Sequence, residues 1–434
     1  RSLFLRTGVT LRGQGPDRTI LRSAFTNRWI KIESCVSNQV TLAFRPDDLR
    51  PGATVHLWPR RNPGGWLGYY EPQIVTAVDG RTLTVDGVHL RLPGNKEWPD
   101  AWLEYGLCAV LTAPVNAPAD ALEVADASLF SVGQAVSVGS ADGNENQSLS
   151  FIRAISNQTL RLERPIRFSH APADSGFWKR PAVWSLFPLL TCEQAGAFVV
   201  RDLALVGAIP PDAYPKMSRY TLSPIHFSFA ANALLENLVV SNSLADGYSL
   251  QSGSNVTVRH CRAVANRGNG FHPGTGLTDS LFESCTAEGN GAGLYFCWHN
   301  KRHRIVGSTF VRNRGGGITG LGNPADRFNL IDTCLLAENG GPGIAINGGP
   351  DSGNTIRFCQ IENNSRAEPG RWPGIALHAG VEEASGYTIV SNILRDTQAE
   401  PTQWVGIEER DGLRQGKTIR ADRNVLQGNS CTGH

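Results

Sequence analysis

VTVRHCRAVAN (Val256 to Asn266), SLFESCTAEGN (Ser280 to Asn290), NLIDTCLLAEN (Asn329 to Asn339) and NTIRFCQIENN (Asn354 to Asn364) are four versions of one pattern. In each, Cys stands five residues before Asn, giving a cysteine column of Cys261, Cys285, Cys334 and Cys359. Asn237, Ser308 and Asn392 are placed at the equivalent points of other repeats, and the asparagine column runs Asn242, Asn266, Asn290, Asn313, Asn339 and Asn364. A step of about 23 to 26 residues is a solenoid period. Each unit contains short alternating apolar runs and no segment long enough for an amphipathic helix, so leucine-rich and helical repeats are excluded. Parallel strands stack about 4.8 Å apart, so equal positions of successive coils form ladders. The Asn column is read as a ladder at a turn that needs left-handed backbone, with the amides bonding to one another. The Cys, Ser and Asn column is read as an inward ladder, because Ala263, Ala287, Phe310, Leu336 and Ile361 follow at the alternate position.

Composition agrees with a long, turn-rich, folded chain: 434 residues, 41% hydrophobic, 18% charged, 47 Gly and 25 Pro. Lys plus Arg number 41 against 39 Asp plus Glu, a formal charge of +2, which argues against nucleic acid or an anionic membrane as partner. No run approaches the roughly 18 to 20 apolar residues of a spanning helix. Nine cysteines without a CxxC pair suggest neither zinc nor a disulfide framework. The only Met is Met217, and the chain opens inside what reads as a strand, Arg1 to Leu5. A leader is therefore expected to precede it, and with it a secreted or periplasmic location.

These rungs, with TGVTLRGQGPDRTIL (Thr7 to Leu21) and VVRDLALVG (Val199 to Gly207), resemble the right-handed parallel β-helix proteins of the pectin-lyase-like superfamily. The resemblance covers roughly residues 1 to 34 and 191 to 434. It implies an all-β solenoid, a carbohydrate substrate, and membership among lyases, hydrolases, epimerases or non-enzymatic tail and adhesion proteins. The chain is thus divided into an N-terminal coil region at 1–34, an inserted β subdomain at 35–190 and the main β-helix at 191–434. Two related antiparallel modules are expected in the insertion. Asp48 to Leu57, Ile74 to Val78 and Leu83 to Val85 recur as Leu129 to Val138, Phe151 to Ile155 and Leu160 to Leu162. Aromatic residues concentrate there, Trp66, Trp98 and Trp102 among them, and Trp66 and Trp102 are candidates for stacking on sugar rings.

Aligning the glycine before each third run gives a column His226, Ser249, His272, Tyr295, Thr319, Ala345 and Ala376. The preceding residues are apolar and inward, so this column is expected to face solvent. Two residues further on, a second outward set is Ser228, Gln251, Gly274, Cys297, Leu321, Asn347 and His378. His226, His272, Tyr295 and His299 are the candidate catalytic groups, with His272 and Tyr295 as the proton-transfer pair. Trp298, Lys301, Arg302, Gln251 and His378 join the aromatic residues as candidate substrate contacts, the cations to hold a carboxylate.

Glycosidases need two carboxyl groups across the scissile bond, and this column offers none before Glu408. Asp246 is the nearest acid, with no evident partner. β-Elimination of a uronic-acid chain needs a base, a group that stabilises the enolate-like carboxylate, and an acid for the leaving oxygen, a set that His, Tyr, Arg and Lys supply. A polysaccharide lyase is therefore the leading reading. A glycoside hydrolase or a C5-epimerase on the same fold, and a non-catalytic glycan-binding or tailspike-like protein, are the alternatives. Mannuronan epimerases carry Asp-Gly-Phe-Asp-Pro-His-Glu on this strand, against Asn269-Gly270-Phe271-His272-Pro273-Gly274-Thr275 here. The family's Asp and His fall on His272 and Gly274. The calcium-binding aspartates of pectate lyases are not recognisable, so Ca2+ is the one cofactor left open, and the chain is expected to act as a monomer or a homo-oligomer.

Overall fold

The computed structural model describes residues 2–23, 28–58, 72–86, 101–106, 108–139, 148–170, 180–185, 188–207, 223–380 and 382–433. The chain divides into two compact units: 1–2, 24–187 and 217–221 in one, and 3–23, 188–216 and 222–434 in the other. Among the described residues no helix is long and apolar enough to cross a membrane.

The larger unit is a parallel β-helix. One sheet stacks ten strands: Leu3–Phe4, Leu190–Glu193, Ile225–Ser228, Tyr248–Gln251, Asn269–Pro273, Ala292–Tyr295, Ile318–Leu321, Ile344–Ile346, Ile375–His378 and Ile407–Arg410. The first coil comes from the N-terminus. Leu3 pairs with Leu190, Val199 with Thr10 and Ala204 with Ile20, all in parallel, across the long insertion. The other strands form two further columns, which the long strands Val199–Val206 and Leu234–Ser241 traverse without a break. Strands this short hold together because equal positions of neighbouring coils are apolar and interlock along the axis. Phe271, Leu294, Ile318, Ile344 and Ile375 do so in the first sheet, and Ala263, Ala287, Phe310, Leu336 and Ile361 in the last; all are buried.

Cys261, Cys285, Cys334 and Cys359 line the interior on successive rungs, and Ser308 takes the same place between Cys285 and Cys334. Asn266, Asn290, Asn313, Asn339 and Asn364 form a continuous buried amide ladder that ends on Gln403. Asn290 shows how each rung is satisfied: its Nδ2 donates to Asn313 Oδ1 at 3.1 Å and to the Ala263 carbonyl at 2.9 Å, and its Oδ1 accepts from the Asn266 backbone at 3.0 Å.

The ladder's register differs from the sequence reading at two places. The left-handed residue is the one before each ladder Asn: Ala265, Gly289, Arg312, Glu338 and Asn363 have φ of 52 to 67°. Asn242, at φ 55°, belongs to this corner and not to the ladder; Ser243 takes the ladder place, its backbone N–H donating to Asn266 Oδ1 as the backbone N–H groups of the ladder asparagines do. A second left-handed corner precedes the Cys column, and Asn237 stands there at φ 49°, donating to Asp202, while Leu238 points inward beside Cys261. Such backbone costs about 1 to 2 kcal/mol for a residue with a Cβ. The bonds from each corner to the next coil, such as Arg312 N to Ala337 O at 3.1 Å, offset that cost.

The smaller unit contains two antiparallel modules with separate cores. Strands Arg28–Val36, Gln39–Leu42, Thr82–Val85, Gln73–Asp79, Thr54–Trp58 and Trp102–Tyr105 close into a barrel. Cys108–Val110, Ala182–Trp184, Ala135–Gly139, Ser148–Ser156, Thr159–Ile166 and Ala119–Glu123 follow the equivalent order, and a bridge between Leu111 and Val124 joins the two ends. Arg180 links the modules by gripping both carboxylate oxygens of Asp86 at 3.0 and 2.6 Å. Trp102 is half-buried in the barrel wall, opposite Lys31 on one side and Trp58 on the other. Trp66 and Trp98 lie outside the described residues.

Candidate active site

The first sheet aligns Thr191, His226, Ser249 and His272 on four consecutive coils, and Tyr295 opposite Thr319 on the next two. Their neighbours along each strand fill the solenoid core, so this column points away from it. It does not, however, face open solvent: Thr191, Ser249, His226 and His272 are all buried, and only Tyr295 and Thr319 are partly exposed. The side chains shield one another. Ser249 lies between the two histidines and contacts His226 Nδ1 at 3.1 Å, while Gln251 covers the strand, its Nε2 donating to Ser249 Oγ at 3.0 Å and its Oε1 accepting from Thr275 N at 3.1 Å.

The acid that seemed partnerless in the sequence is the closest neighbour of His272. Asp246, in the turn before Tyr248–Gln251, reaches across one coil to place Oδ2 2.6 Å from His272 Nδ1, and its Oδ1 accepts from Asn269 N at 2.6 Å. Gly268 makes room for that carboxylate, because a Cβ there would collide with Oδ1. The sequence signal was spacing: His272 follows Asp246 by one 23-residue coil plus three residues, which places the acid beside the ring rather than in the same column. Tyr295 packs edge-on against His272 with ring centroids 5.2 Å apart, and its hydroxyl lies 3.4 Å from Asn323 Nδ2. Cys297 follows Tyr295 by two residues, and its sulfur lies 3.4 Å from Thr275 Oγ1.

The two imidazoles of this face are driven apart electrically. Burial pulls His272 down, but the Asp246 carboxylate, through charge and hydrogen bond, together with Cys297, outweighs it and pushes His272 up to about 9. Burial first, and then the charge of His272, lower His226 to about 3. At neutral pH one ring is a cation and the other is neutral. Burial, followed by the neighbouring Cys297, raises the Tyr295 phenol to about 12, so it stays protonated. Burial alone would raise the Cys297 thiol, yet the neighbouring His272 holds it below the ordinary thiol value.

The remaining candidates lie elsewhere. Arg302 is exposed on a left-handed turn, with its guanidinium bound to both carboxylate oxygens of Asp279 at 2.5 and 2.7 Å. It therefore meets a carboxylate of its own chain instead of reaching the histidine column. His299 and Trp298 are exposed on the loop before it, and Lys301 stands half-buried between Thr278 and Arg327. His378 is on the same sheet, four coils from His272 or roughly 19 Å, where it contacts Glu408 at 2.7 Å and accepts from Arg410 at 3.0 Å. The second outward set breaks at Leu321, which is buried in the core opposite Ile346. Gly320, at φ 76°, adds a residue to that strand and inverts the alternation.

Calcium does not fit the face. It takes six to eight oxygen ligands; of the carboxyl groups near this face, Asp246 is held by Asn269 N and His272, and Asp326 is fully buried and accepts from Asn300 N. Among the described residues no cluster of three or more His, Cys, Asp or Glu is arranged to hold a metal ion.

Fold and face together define a right-handed parallel β-helix with a buried acid–base cluster on one sheet. A family model described as "right handed beta helix region" matches residues 217–310. No curated protein sequence matches the chain. Among solved structures, the A-module of mannuronan C-5 epimerase AlgE4 from Azotobacter vinelandii is 16% identical, covering 57% of this chain and 76% of its own, with a TM-score of 0.32. The periplasmic alginate epimerase AlgG is 9% identical over 56% of this chain and 70% of its own, with a TM-score of 0.37. The catalytic domain of a GH87 α-1,3-glucanase, solved with nigerose, is 11% identical over 93% and 95%, with a TM-score of 0.34.

Proposed function

We propose that this protein is a carbohydrate-active enzyme that cleaves a uronic-acid-containing polysaccharide by β-elimination, acting outside the cytoplasm. The observation that carries the reading is the buried His272, with Asp246 Oδ2 2.6 Å from its Nδ1 and the Tyr295 ring packed edge-on against it, a contact that favours the imidazolium. An elimination next to a carboxylate builds negative charge on that carboxylate as the neighbouring C–H bond breaks. A fixed, buried imidazolium stabilises that charge far better than a mobile surface cation would. It takes the place that the sequence alone assigned to Arg302. Tyr295, still protonated at neutral pH, gives its proton to the leaving glycosidic oxygen. Neutral His226, held between Ser249 and Ser228, supplies a polar wall for the adjoining sugar.

A glycosidase would need a pair of carboxyl groups free to act on this face; Asp246 is committed to His272, and Asp326, the other carboxyl that acts on Tyr295, is fully buried and accepts from Asn300 N at 2.7 Å. The test is to incubate the protein with uronate-containing and neutral polysaccharides while following both unsaturated ends and reducing sugar. Unsaturated ends formed from uronate chains alone support the reading. Reducing sugar without unsaturation sinks it in favour of a hydrolase.

A further inference from the structure

One departure from the repeat lies directly against Tyr295. The strand Ile318–Leu321 starts in register with the coil before it, Thr319 opposite Tyr295, and then Gly320 adds a residue. A Cβ at Gly320 would stand 2.7 Å from the Tyr295 ring and would also collide with the Phe296 carbonyl; with φ at 76°, glycine alone fits. The chain then turns back, Asn323 N donating to Gly320 O at 3.1 Å and Asp326 N to Asn323 O at 2.9 Å. The turn is pinned to the preceding coil: Asp326 Oδ1 accepts from Asn300 N at 2.7 Å, and Pro324 O accepts from His299 N at 2.9 Å. It carries the Asn323 side chain to the phenol. Asn323 Nδ2 donates to the Phe296 carbonyl at 2.8 Å and lies 3.4 Å from the Tyr295 hydroxyl oxygen.

That carbonyl settles which way the amide faces, because a carbonyl can only accept. The amide edge beside Tyr295 is therefore a donor, the phenol oxygen accepts, and the phenol's own hydrogen points elsewhere. The ring itself is held on two sides, by Gly320 and by the edge-on His272 ring. Burial and then Cys297 raise the phenol to about 12, and the Asn323 amide pulls against them.

We propose, on the basis of the elimination reading, that Asn323 is a positioning residue for the acid of this site: its amide holds the Tyr295 oxygen, aims the phenol hydrogen at the departing glycosidic oxygen and stabilises the tyrosinate that results. The Gly320 bulge is what delivers it. In that step the phenol O–H bond breaks and a new O–H bond forms on the leaving oxygen, which has kept the electrons of its broken C–O bond. The electron pair left on the phenol oxygen draws the Asn323 N–H closer, and water later returns the proton, so Tyr295 ends as it began.

Asn323→Asp keeps the volume and the backbone turn but cannot donate, and Asn323→Ala removes the side chain. Both should lower kcat on polyuronate by about 10-fold with KM little changed, the effect of one hydrogen bond to a charged group. In the Tyr295→Phe background Asn323→Ala should cost no more than about twofold, because the partner is already gone. A second readout needs no turnover. In protein labelled with fluorotyrosine, the Tyr295 fluorine NMR signal, assigned by its loss in Tyr295→Phe, should titrate about one pH unit or more higher in either variant. In wild-type protein the Asn323 side-chain amide signal should move as Tyr295 ionises, a measurement that holds whether or not the variants fold well. An unshifted titration, an amide that ignores the ionisation, or equal losses from Asn323→Ala with and without the phenol would overturn the proposal and leave the elimination reading intact. Absence of unsaturated ends with wild-type protein on every uronate chain would instead remove the elimination reading, and the role with it, while the titration still reports whether Asn323 holds the phenol.

Discussion

Replacing Asp246 by Asn removes one charge and almost no volume, and it acts on the most strongly placed contact of the site. His272 stands at about 9 because the Asp246 carboxylate outweighs the penalty of burial; with the amide in its place, burial dominates and the value falls below the ordinary 6.5. Two consequences can be measured. Elimination needs the imidazolium, so the alkaline limb of kcat/KM is expected near pH 9 in the wild type and below pH 6.5 in Asp246→Asn. At pH 8 the loss is then about 30-fold or more. The second consequence is stability. Because the folded value of His272 lies above 6.5, its contribution is present in full below pH 6.5 and is lost as the pH rises through about 9. At 1.36 kcal/mol per pH unit this amounts to about 3 kcal/mol between pH 6 and pH 10. Denaturant titrations of wild type and Asp246→Asn across that range, with the imidazole proton signals followed by NMR, check both. An unchanged alkaline limb, or a His272 resonance that still titrates near pH 9 in the variant, would refute the coupling.

Further expectations follow from other contacts. Tyr295→Phe should lower turnover by about 10² to 10⁴ while the melting temperature moves little, because the half-exposed ring loses only its contact with Asn323; steady-state kinetics beside a thermal melt tests this. Asn313→Ala interrupts the amide ladder and leaves the groups of Asn290 and Asn339 unpaired in the interior, at a cost of about 2 to 4 kcal/mol, readable as a lower denaturation midpoint and faster amide exchange at Asn290. Gly274→Ala forces a Cβ into Gln251, so it should displace the cover over Ser249 and lower activity more than stability. Arg302→Ala should change neither kcat nor KM by more than about twofold, because an exposed pair with Asp279 contributes little.

The solenoid was legible because its ladders repeat: a Cys or Asn every coil can be aligned by eye, and the structure places Cys261, Cys285, Asn266 and Asn290 inside on adjacent rungs. The departures arise where one residue breaks the period. Gly320 turned Leu321 inward, and the left-handed corners put Asn237 and Asn242 one position off the ladders they seemed to join. The His226, His272 and Tyr295 face was read from strand alternation alone. Its burial was not, because alternation gives the direction of a side chain and not what packs over it. The pairing of Asp246 escaped the sequence for a related reason: the acid comes from a turn, outside the column, and only the rise of one coil brings it to His272.

The most direct measurement of the central claim is the appearance of unsaturated sugar ends when wild-type protein meets a purified polyuronate at pH 7 to 8, with His272→Ala in parallel. The account predicts steady formation of unsaturated ends by the wild type and a loss of at least about 10² in the variant with the fold retained. Equal rates in the two proteins, or chain scission that yields only saturated ends, would contradict it.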